Sequence, residues 1–420
     1  MEQNFLSEEK LQEYKNSIDV EFAGLPAIKP GGMHNIISRL MENTVEYLKE
    51  TVTSTGDMAQ WTPVIMSLIR RTMPTLVGPQ MIGIQPLSMP TGRIFVQRVY
   101  AGDQEVWGNG AIGTATAAGP APDEKFSGPY STVDGEKLGW KDYSDAPTGK
   151  IGTGTQYPEM SFAIEGVDVS VKTRALKGKI TTEVVTDLRR VHGLDADMEL
   201  SSIMQAELTA EIDREIVGRI ISEAKVGAVN TSEPGIFDFA VDADGRWSME
   251  KVMGLLLQIE REATWIAQET RRGRGNFILT SPEVAAYLSM ANLITTQYEN
   301  VGFTPVVNPV GVSYYGMLAN RFKVFVDPYM TYTKGDNKIK HTVVVGYKGA
   351  SQYDSGMFYC PYVPFEWYFG TGEEDFGKRI GIKSRYGIIS NPYSVANLQA
   401  GNTAAPGTNS YFRKFALVVD

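Results

Sequence analysis

The chain has 420 residues, 42% of them hydrophobic and 21% charged, with a formal net charge of -9. That apolar content excludes a chain disordered throughout, and the acidic balance argues against a protein that grips nucleic acid through its phosphates. The single cysteine, Cys360, excludes a disulfide framework, and His34, His192 and His341 share no metal-ligand spacing. The opening MEQNFLSEEK carries acids where a secretion signal carries bases. No apolar run approaches the roughly 18 residues that a membrane span needs. The length suggests about two to four domains.

Residues 1–60 are polar, with apolar positions at helical spacing in Ile36, Ile37, Leu40, Met41, Val45 and Leu48. They read as an arm that gains order by lying on something else. A short helix is expected in TPVIMSLIRRTMP, opened near Pro63 and stopped by Pro74. RIFVQRVY then alternates as a strand. Residues 101–160 are rich in Gly, Pro, Ala, Ser and Thr and cannot fill a core, so they read as a surface excursion. The strand SFAIEGVDVSVKT returns from it, which makes the whole an extended β-hairpin.

TTEVVTDLRR is expected to be one helix, capped by Thr181 or Thr182, with Val184, Val185 and Leu188 on one face. His192-Gly193 supplies a break. A longer helix follows, with a stripe of Leu194, Met198, Ile203, Met204, Leu208, Ile212, Ile216, Val217 and Ile220. At about 1.5 Å per residue it would be roughly 40 Å long, a strut rather than a packing element of a small domain. Beyond it, Trp247 to Thr270 reads as a helix facing the core with Val252, Leu255, Leu256, Ile259 and Ile266. Then come a strand NFILT, a helix from Ser281-Pro282-Glu283, and strands KVFVD and HTVVVGY. Residues 356–393 are strand-like and aromatic, and the closing FRKFALVVD is apolar enough to dock.

Short motifs carry little chemistry. GNGAIG at Gly108–Gly113 has the dinucleotide-loop spacing, but TATAAGPAP after it will not hold the helix that spacing serves. DADME from Asp195 places Leu200 where a calcium loop needs glycine, so it reads as an acidic helix start. DADG from Asp242 reads as a turn. Cys360, among aromatics and prolines, reads as a small buried hydrophobe. GxSxG, P-loop and HExxH patterns are absent. The arginines are spread through all zones, and an interface role is open to them because Arg pairs carboxylates with defined geometry.

Several long blocks together resemble one family. PVIMSLIRRTMPTLVGPQMIGIQPLSMPTGRIFVQRVYAG, with its Arg70-Arg71 pair, its Gly83-Ile84-Gln85-Pro86 turn and its Pro90-Thr91-Gly92 turn, resembles the start of the folded part of T-even-type (T4-like) tailed-phage major capsid proteins. The stretch from Arg174 through RALKGKITTEVVTDLRRVHGLDADMELSSIMQAELTAEIDREIV is similar to that family's spine-helix region. RRGRGNFILTS, VVVGYKG, GMFYCPYVP and SRYGIISNPY follow in the family's order.

The resemblance implies an α+β, HK97-like capsid fold. Its parts would be an N-terminal arm (1–60), the start of a peripheral domain (61–92), an extended loop or E-loop (93–172) and a peripheral domain with the spine helix (173–227). An axial domain (228–355) and a return to the peripheral domain (356–420) would complete it. The implied function is structural rather than enzymatic, with no cofactor: hexamers and pentamers of an icosahedral phage head enclosing double-stranded DNA. Implied partners are further copies of the chain, vertex, portal, scaffold and decoration proteins, and DNA on the inner face without sequence-specific binding; no membrane is implied. Such a shell would assemble in the host cytoplasm and reside in the virion. The family's prohead protease cuts after Glu in contexts such as Leu48-Lys49-Glu50, which places a cut between Glu50 and Thr51; Leu6-Ser7-Glu8 fits the same pattern. Arg70, Arg71, Arg98, Arg174 and Arg385 are the candidate inter-subunit contacts. The alternatives are a pentamer-only vertex paralogue, a host-encoded shell of the same fold, and a soluble α/β enzyme built on 236–350.

Overall fold

In the computed structural model, described residues are 36–41, 43, 76–101, 104–105, 160–193, 196–243, 247–291, 293–295, 312–330, 333–335, 338–351, 354–372, 377–392, 398–399 and 403–419. The expected helix at 62–74, Val45, Leu48, Leu194, Asp195 and the GNGAIG segment lie outside them.

The described chain is α+β. A four-stranded sheet runs in the order β1 (Gly83–Ile84), β14 (Met357–Thr371), β15 (Lys378–Ser390), β5 (Lys172–Ile180). β1 is parallel to β14 and the other pairs are antiparallel. A hairpin joins β2 (Thr91–Ala101) to β4 (Met160–Ser170), in register from Thr91 opposite Ser170 to Ala101 opposite Met160, with β3 (Gln104–Glu105) on its edge. This is the strand and returning strand that the alternation predicts.

The larger sheet has the order β6 (Ala224–Val226), β18 (Asn409–Val419), β13 (Lys338–Gly346), β8 (Phe277–Thr280), β11 (Phe322–Val326), β10 (Ser313–Leu318), β9 (Ile294–Thr295). β7 (Ile236–Asp238) adds to β18 and β12 (Thr333–Gly335) to β13. β16 (Leu398–Gln399) and β17 (Thr403–Ala404) pair apart. The helices are α1 (Gly78–Met81), α2 (Thr182–Asp187), α3 (Ala196–Glu223), α4 (Ser248–Thr270) and α5 (Pro282–Met290).

The centre of the larger sheet is buried on both faces, so FILT of β8, VFV of β11 and VVV of β13 are apolar runs whose alternation sorts side chains between two cores. Phe277, Leu279, Phe325 and Val344 face a main core that they share with α3 and the smaller sheet. Ile278, Val324, Val343 and Val345 face a second core closed by α4 and α5. The rings of Phe277, Phe325 and Phe412 meet edge to face at 6.1–6.3 Å in the main core. Ile36, Ile37, Leu40 and Met41 belong to that same core, so this part of the polar N-terminal stretch rests on its own body.

α3 is more than the strut expected of it. Its buried face steps by four residues through Ala196, Met204, Leu208, Ile212, Ile216 and Ile220, with Leu200 half-buried between them, and it fills the space between the two sheets. Met198 lies across the helix from that line and is 73% exposed, and Ile203 on its flank is 57% exposed, so neither belongs to the stripe. The segment from Arg174 is strand β5, which departs from the helical reading of that block. α2 ends early, at Asp187. Leu188–His192 form a π-helical turn closed by Gly193 at φ 66°, and the Thr181 hydroxyl makes no bond to the first turn of α2. Val184 is exposed. The remaining elements, α4, α5, β8, β11, β13, β14 and β15, lie where the pattern predicts them, with Pro282 opening α5 directly after Ser281.

Candidate functional site

For a chain expected to work by touching its own kind, the functional geometry is a rigid body and the surfaces that body presents. Rigidity comes first from ion pairs between the helices and the sheets. Arg174 on β5 reaches Glu211 at 3.0 Å and Glu215 at 2.7 Å on α3. Arg219 adds a 3.3 Å contact to Glu215, and the Tyr386 hydroxyl of β15 donates to Glu215 at 2.6 Å. Burial works against the Glu215 charge, yet Tyr386 and Arg174 together hold its carboxyl below the usual range. Burial and the same carboxylate push the Tyr386 phenol up.

A second staple fastens α4 to the larger sheet. Glu262 is fully buried and accepts from Arg413 Nε at 2.8 Å, from Gln258 Nε2 at 2.7 Å and from the Ala228 N–H at 2.7 Å. Arg413 also pairs with Glu269 at 2.7 Å and lies 4.7 Å from the Trp265 ring, and Lys225 joins Glu269 at 3.1 Å. Each oxygen of Glu262 thus has a donor, which is the condition for a buried carboxylate to stay charged at tolerable cost. A third group ties Arg272 to Asp354 at 3.1 Å and the Tyr347 hydroxyl to Asp354 at 2.9 Å.

The short α1 is held from two sides. Asp213 of α3, fully buried, accepts the N–H groups of Gly78 at 3.0 Å and Val77 at 3.3 Å. Burial pushes its carboxyl up to about 7, with the two backbone N–H groups pulling the other way. The ammonium of Lys348 donates to the Pro79 carbonyl, and burial lowers it to about 8, helped by Lys323. α1 therefore sits between a carboxylate at its N–H end and a cation at its carbonyl end, in accord with the peptide dipoles.

The hairpin meets the body only at its root among the described residues. Leu87, Ile94 and Val169 pack with Phe358, Cys360, Tyr362, Val363 and Ile389 of the smaller sheet. Cys360 is completely buried there, which pushes its thiol up to about 12 and leaves it a packing residue. Asn43 Nδ2 donates to the Leu87 carbonyl at 2.6 Å and ties the N-terminal stretch to the same root. Arg93 and Asp168 pair across the stem at 3.2 Å in solvent.

The sequence-predicted arginines are not brought into one cluster. Arg174 is engaged within its own chain. Arg385 lies 5.3 Å from the Tyr362 ring on the smaller sheet. Arg98 is on β2 opposite Ala163. Arg70, Arg71, Glu50 and Thr51 lie outside the described residues. Asp242 accepts from the Ser232 N–H and hydroxyl and from the Asp238 N–H, while Asp244 and Gly245 of DADG lie outside the described residues. His341 lies within β13 rather than opening it, between Ser281 and Glu283. The residues that sequence reasoning missed are Asp213, Glu262, Lys348 and Arg413. Two of them leave a trace. Asp213 and Glu262 are acids on otherwise apolar helix faces, one beside Ile212 and Ile216, the other beside Ile259 and Ile266.

The family model described as major capsid protein Gp23 matches residues 58–417. The major capsid protein of Salmonella phage ViI is 31% identical over 426 residues, covering 92% of this chain and 93% of that one. That of Enterobacteria phage T4 is 30% identical over 86% of this chain and 83% of its own. The capsid vertex protein of the same phage is 25% identical over 58% of this chain and 55% of its own. Among solved structures, the capsid of Myoviridae phage XM1 aligns with a TM-score of 0.42 at 8% identity, over 81% of this chain and 91% of that one. With the family model matched over residues 58–417, the chain belongs to the Gp23 family of tailed-phage major capsid proteins.

Proposed function

We propose that this chain is the main shell subunit of a tailed-phage head, with an HK97-like fold, whose copies form the hexamers and pentamers of an icosahedral shell around double-stranded DNA. The family match over residues 58–417 carries this reading. The weaker and shorter likeness to a capsid vertex protein supports the main shell role over the pentamer-only one.

The geometry supports it physically. Every copy offers the same patches, so a heterologous contact repeated about an axis closes into a ring. Modest contacts suffice because each subunit has many neighbours. A body stiffened by α3 between two sheets keeps the angle between those patches constant, and an extended hairpin offers reach beyond the body. In this reading 1–60 is the arm, 93–172 the E-loop, 61–92, 173–227 and 356–420 the peripheral domain, and 228–355 the axial domain. A net charge of -9 suits a wall that must not trap packed DNA. Cleavage between Glu50 and Thr51 would leave the matched region 58–417 whole. Arg70, Arg71, Arg98 and Arg385 remain contact candidates. Vertex, portal, scaffold and decoration proteins are the expected partners in the virion.

Negative-stain microscopy and light scattering of the purified chain test the reading. Rings or shells in the megadalton range are expected under some salt condition. Monomer at every salt and protein concentration would overturn it. Intact-mass measurement on mature particles tests the cleavage, with a species beginning at Thr51 expected.

A further inference from the structure

Among the described elements, the chain passes three times between the half that holds α3 and the smaller sheet and the half that holds the larger sheet. It passes from α3 into β6, from β13 into β14, and from β15 by way of β16 and β17 to β18. All three passages meet at one junction. The first supplies Glu223, the last residue of α3, directly before Ala224 of β6. The second supplies Ser355 and Gly356, just before β14. The third supplies Ser390 and Asn391 where it leaves β15, and Asn409 where it enters β18. Glu223, Ser355, Ser390, Asn391 and Asn409 are all almost wholly buried.

Hydrogen bonds tie each passage to another. Ser390 Oγ donates to Glu223 Oε1 at 2.7 Å, and Asn409 Nδ2 donates to Glu223 Oε2 at 3.3 Å. Asn409 Nδ2 also donates to the Gly356 carbonyl at 3.0 Å, where the Asn391 N–H arrives at 3.0 Å. Asn391 Nδ2 donates to the Ser355 carbonyl at 2.8 Å, and the Gly407 N–H to the Ser222 carbonyl at 3.1 Å. The second and third passages run so close that a Cβ on Gly356 would lie 2.5 Å from Tyr411 Cβ. β18 opens with Asn409 opposite Ala224, so the junction also fixes where the last strand joins β6.

The surroundings of this junction are apolar. The two halves share the main core, with Phe277, Phe325 and Val344 from one and Tyr359, Ile380 and Ile382 from the other. Apolar burial is non-directional, whereas a hydrogen bond weakens steeply with angle and leaves its buried partners unpaired when broken. The bonds of the junction are therefore satisfied together at one mutual orientation of the halves. Glu223 sharpens that selection. A carboxylate at the C-terminal end of a helix lies at the negative end of the peptide dipoles, so it leans on the donors that the third passage brings.

We infer that Glu223, Ser390, Asn391 and Asn409 are positioning residues that set the angle between the two halves of the subunit and, through it, the curvature of the shell. The step to curvature rests on the shell reading above, in which the halves are the peripheral and axial domains; the step to the angle does not. Contacts carried on both halves repeat that angle in every copy, so a spread of angles within the subunit becomes a spread of particle sizes.

Two measurements on the full-length chain test this. Cys360 is buried, so spin labels on Lys177→Cys and Val241→Cys, both exposed and one on each half, report a single distance between the halves. The variant Glu223→Met/Ser390→Ala removes the acceptor and the donor of one bond together and leaves Asn409 its bond to Gly356, so its unfolding midpoint should stay within about 5 °C of wild type. Its distance distribution should be broader than that of wild type. Its particles should spread over several diameters in negative stain, where wild type should give one. Glu223→Gln is the conservative rescue. Its amide can donate to Ser390 Oγ and accept from Asn409 Nδ2, so a narrow distance and uniform particles are expected. Wild-type width and wild-type diameters in the double variant would overturn the inference, as would equal broadening in Glu223→Gln. Should the double variant not fold, Ser390→Ala alone decides, with a smaller broadening expected and its absence counting against the junction. A broadened distance with unchanged diameters would refute the step to curvature. Wild type that never assembles would sink the shell reading, while the distance widths still judge the angle.

Discussion

The long helices α3 and α4 each bury a carboxylate in an apolar face, and they solve the problem in opposite ways. Glu262 on α4 is met by a guanidinium, an amide and a backbone N–H. Asp213 on α3 is met by the backbone N–H groups of Val77 and Gly78 at the start of α1 and, among the described residues, by no cation. The first arrangement gives both oxygens of Glu262 a donor and locks α4 to β18. The second leaves a carboxyl poised near neutrality, with burial pushing it up to about 7. The contrast teaches that burial alone does not set a carboxylate's state; its donors do. The Asp213 joint is the one whose strength depends on protons near neutrality.

Three perturbations test that contrast. Arg413→Met should be the most damaging, because it strands Glu262 in the interior, at a cost of about 3–5 kcal/mol in chemical denaturation. A loss under 1 kcal/mol would mean that Gln258 and Ala228 suffice. Next is the pH response. A carboxyl raised from 3.8 to about 7 binds its proton more tightly when folded, so its contribution is fully present below about pH 4 and is lost as pH rises to about 7. The change amounts to about 4 kcal/mol at most. Asp213→Asn should flatten the stability profile between those limits relative to wild type, and an unchanged slope would show that another group drives it. Gly346→Ala should be the mildest. An added Cβ would lie 2.3 Å from the Phe277 ring, which Phe325 and Phe412 hold in place, so about 1–3 kcal/mol should be lost without any pH dependence.

Much of the fold was legible because the larger sheet and its helices obey simple periods. FILT, FKVFV and HTVVVG are apolar runs of strand length bounded by turn residues, and α4 repeats its core positions at helical spacing. β5 was obscured because its polar positions are cations and its apolar ones few; Arg174, Leu176, Gly178 and Ile180 do alternate toward α3, but glycine and arginine carry little of that signal. The stripe of α3 was misjudged in its first turns, since Met198 and Ile203 are large and apolar yet exposed. The ion pairs were not legible at all. Arg413 and Glu262 are 151 residues apart, and only the folded sheet brings them together.

The position of β18 has a consequence for timing. It is the last of the larger sheet's strands to be synthesised, yet it lies inside that sheet, antiparallel to β13 on one side and parallel to β6 and β7 on the other. Until residues 409–419 emerge from the ribosome, the edges of β13 and β6 have no partner and Arg413 cannot reach Glu262. A chain interrupted before that point lacks the strand that joins β13 to β6 and β7.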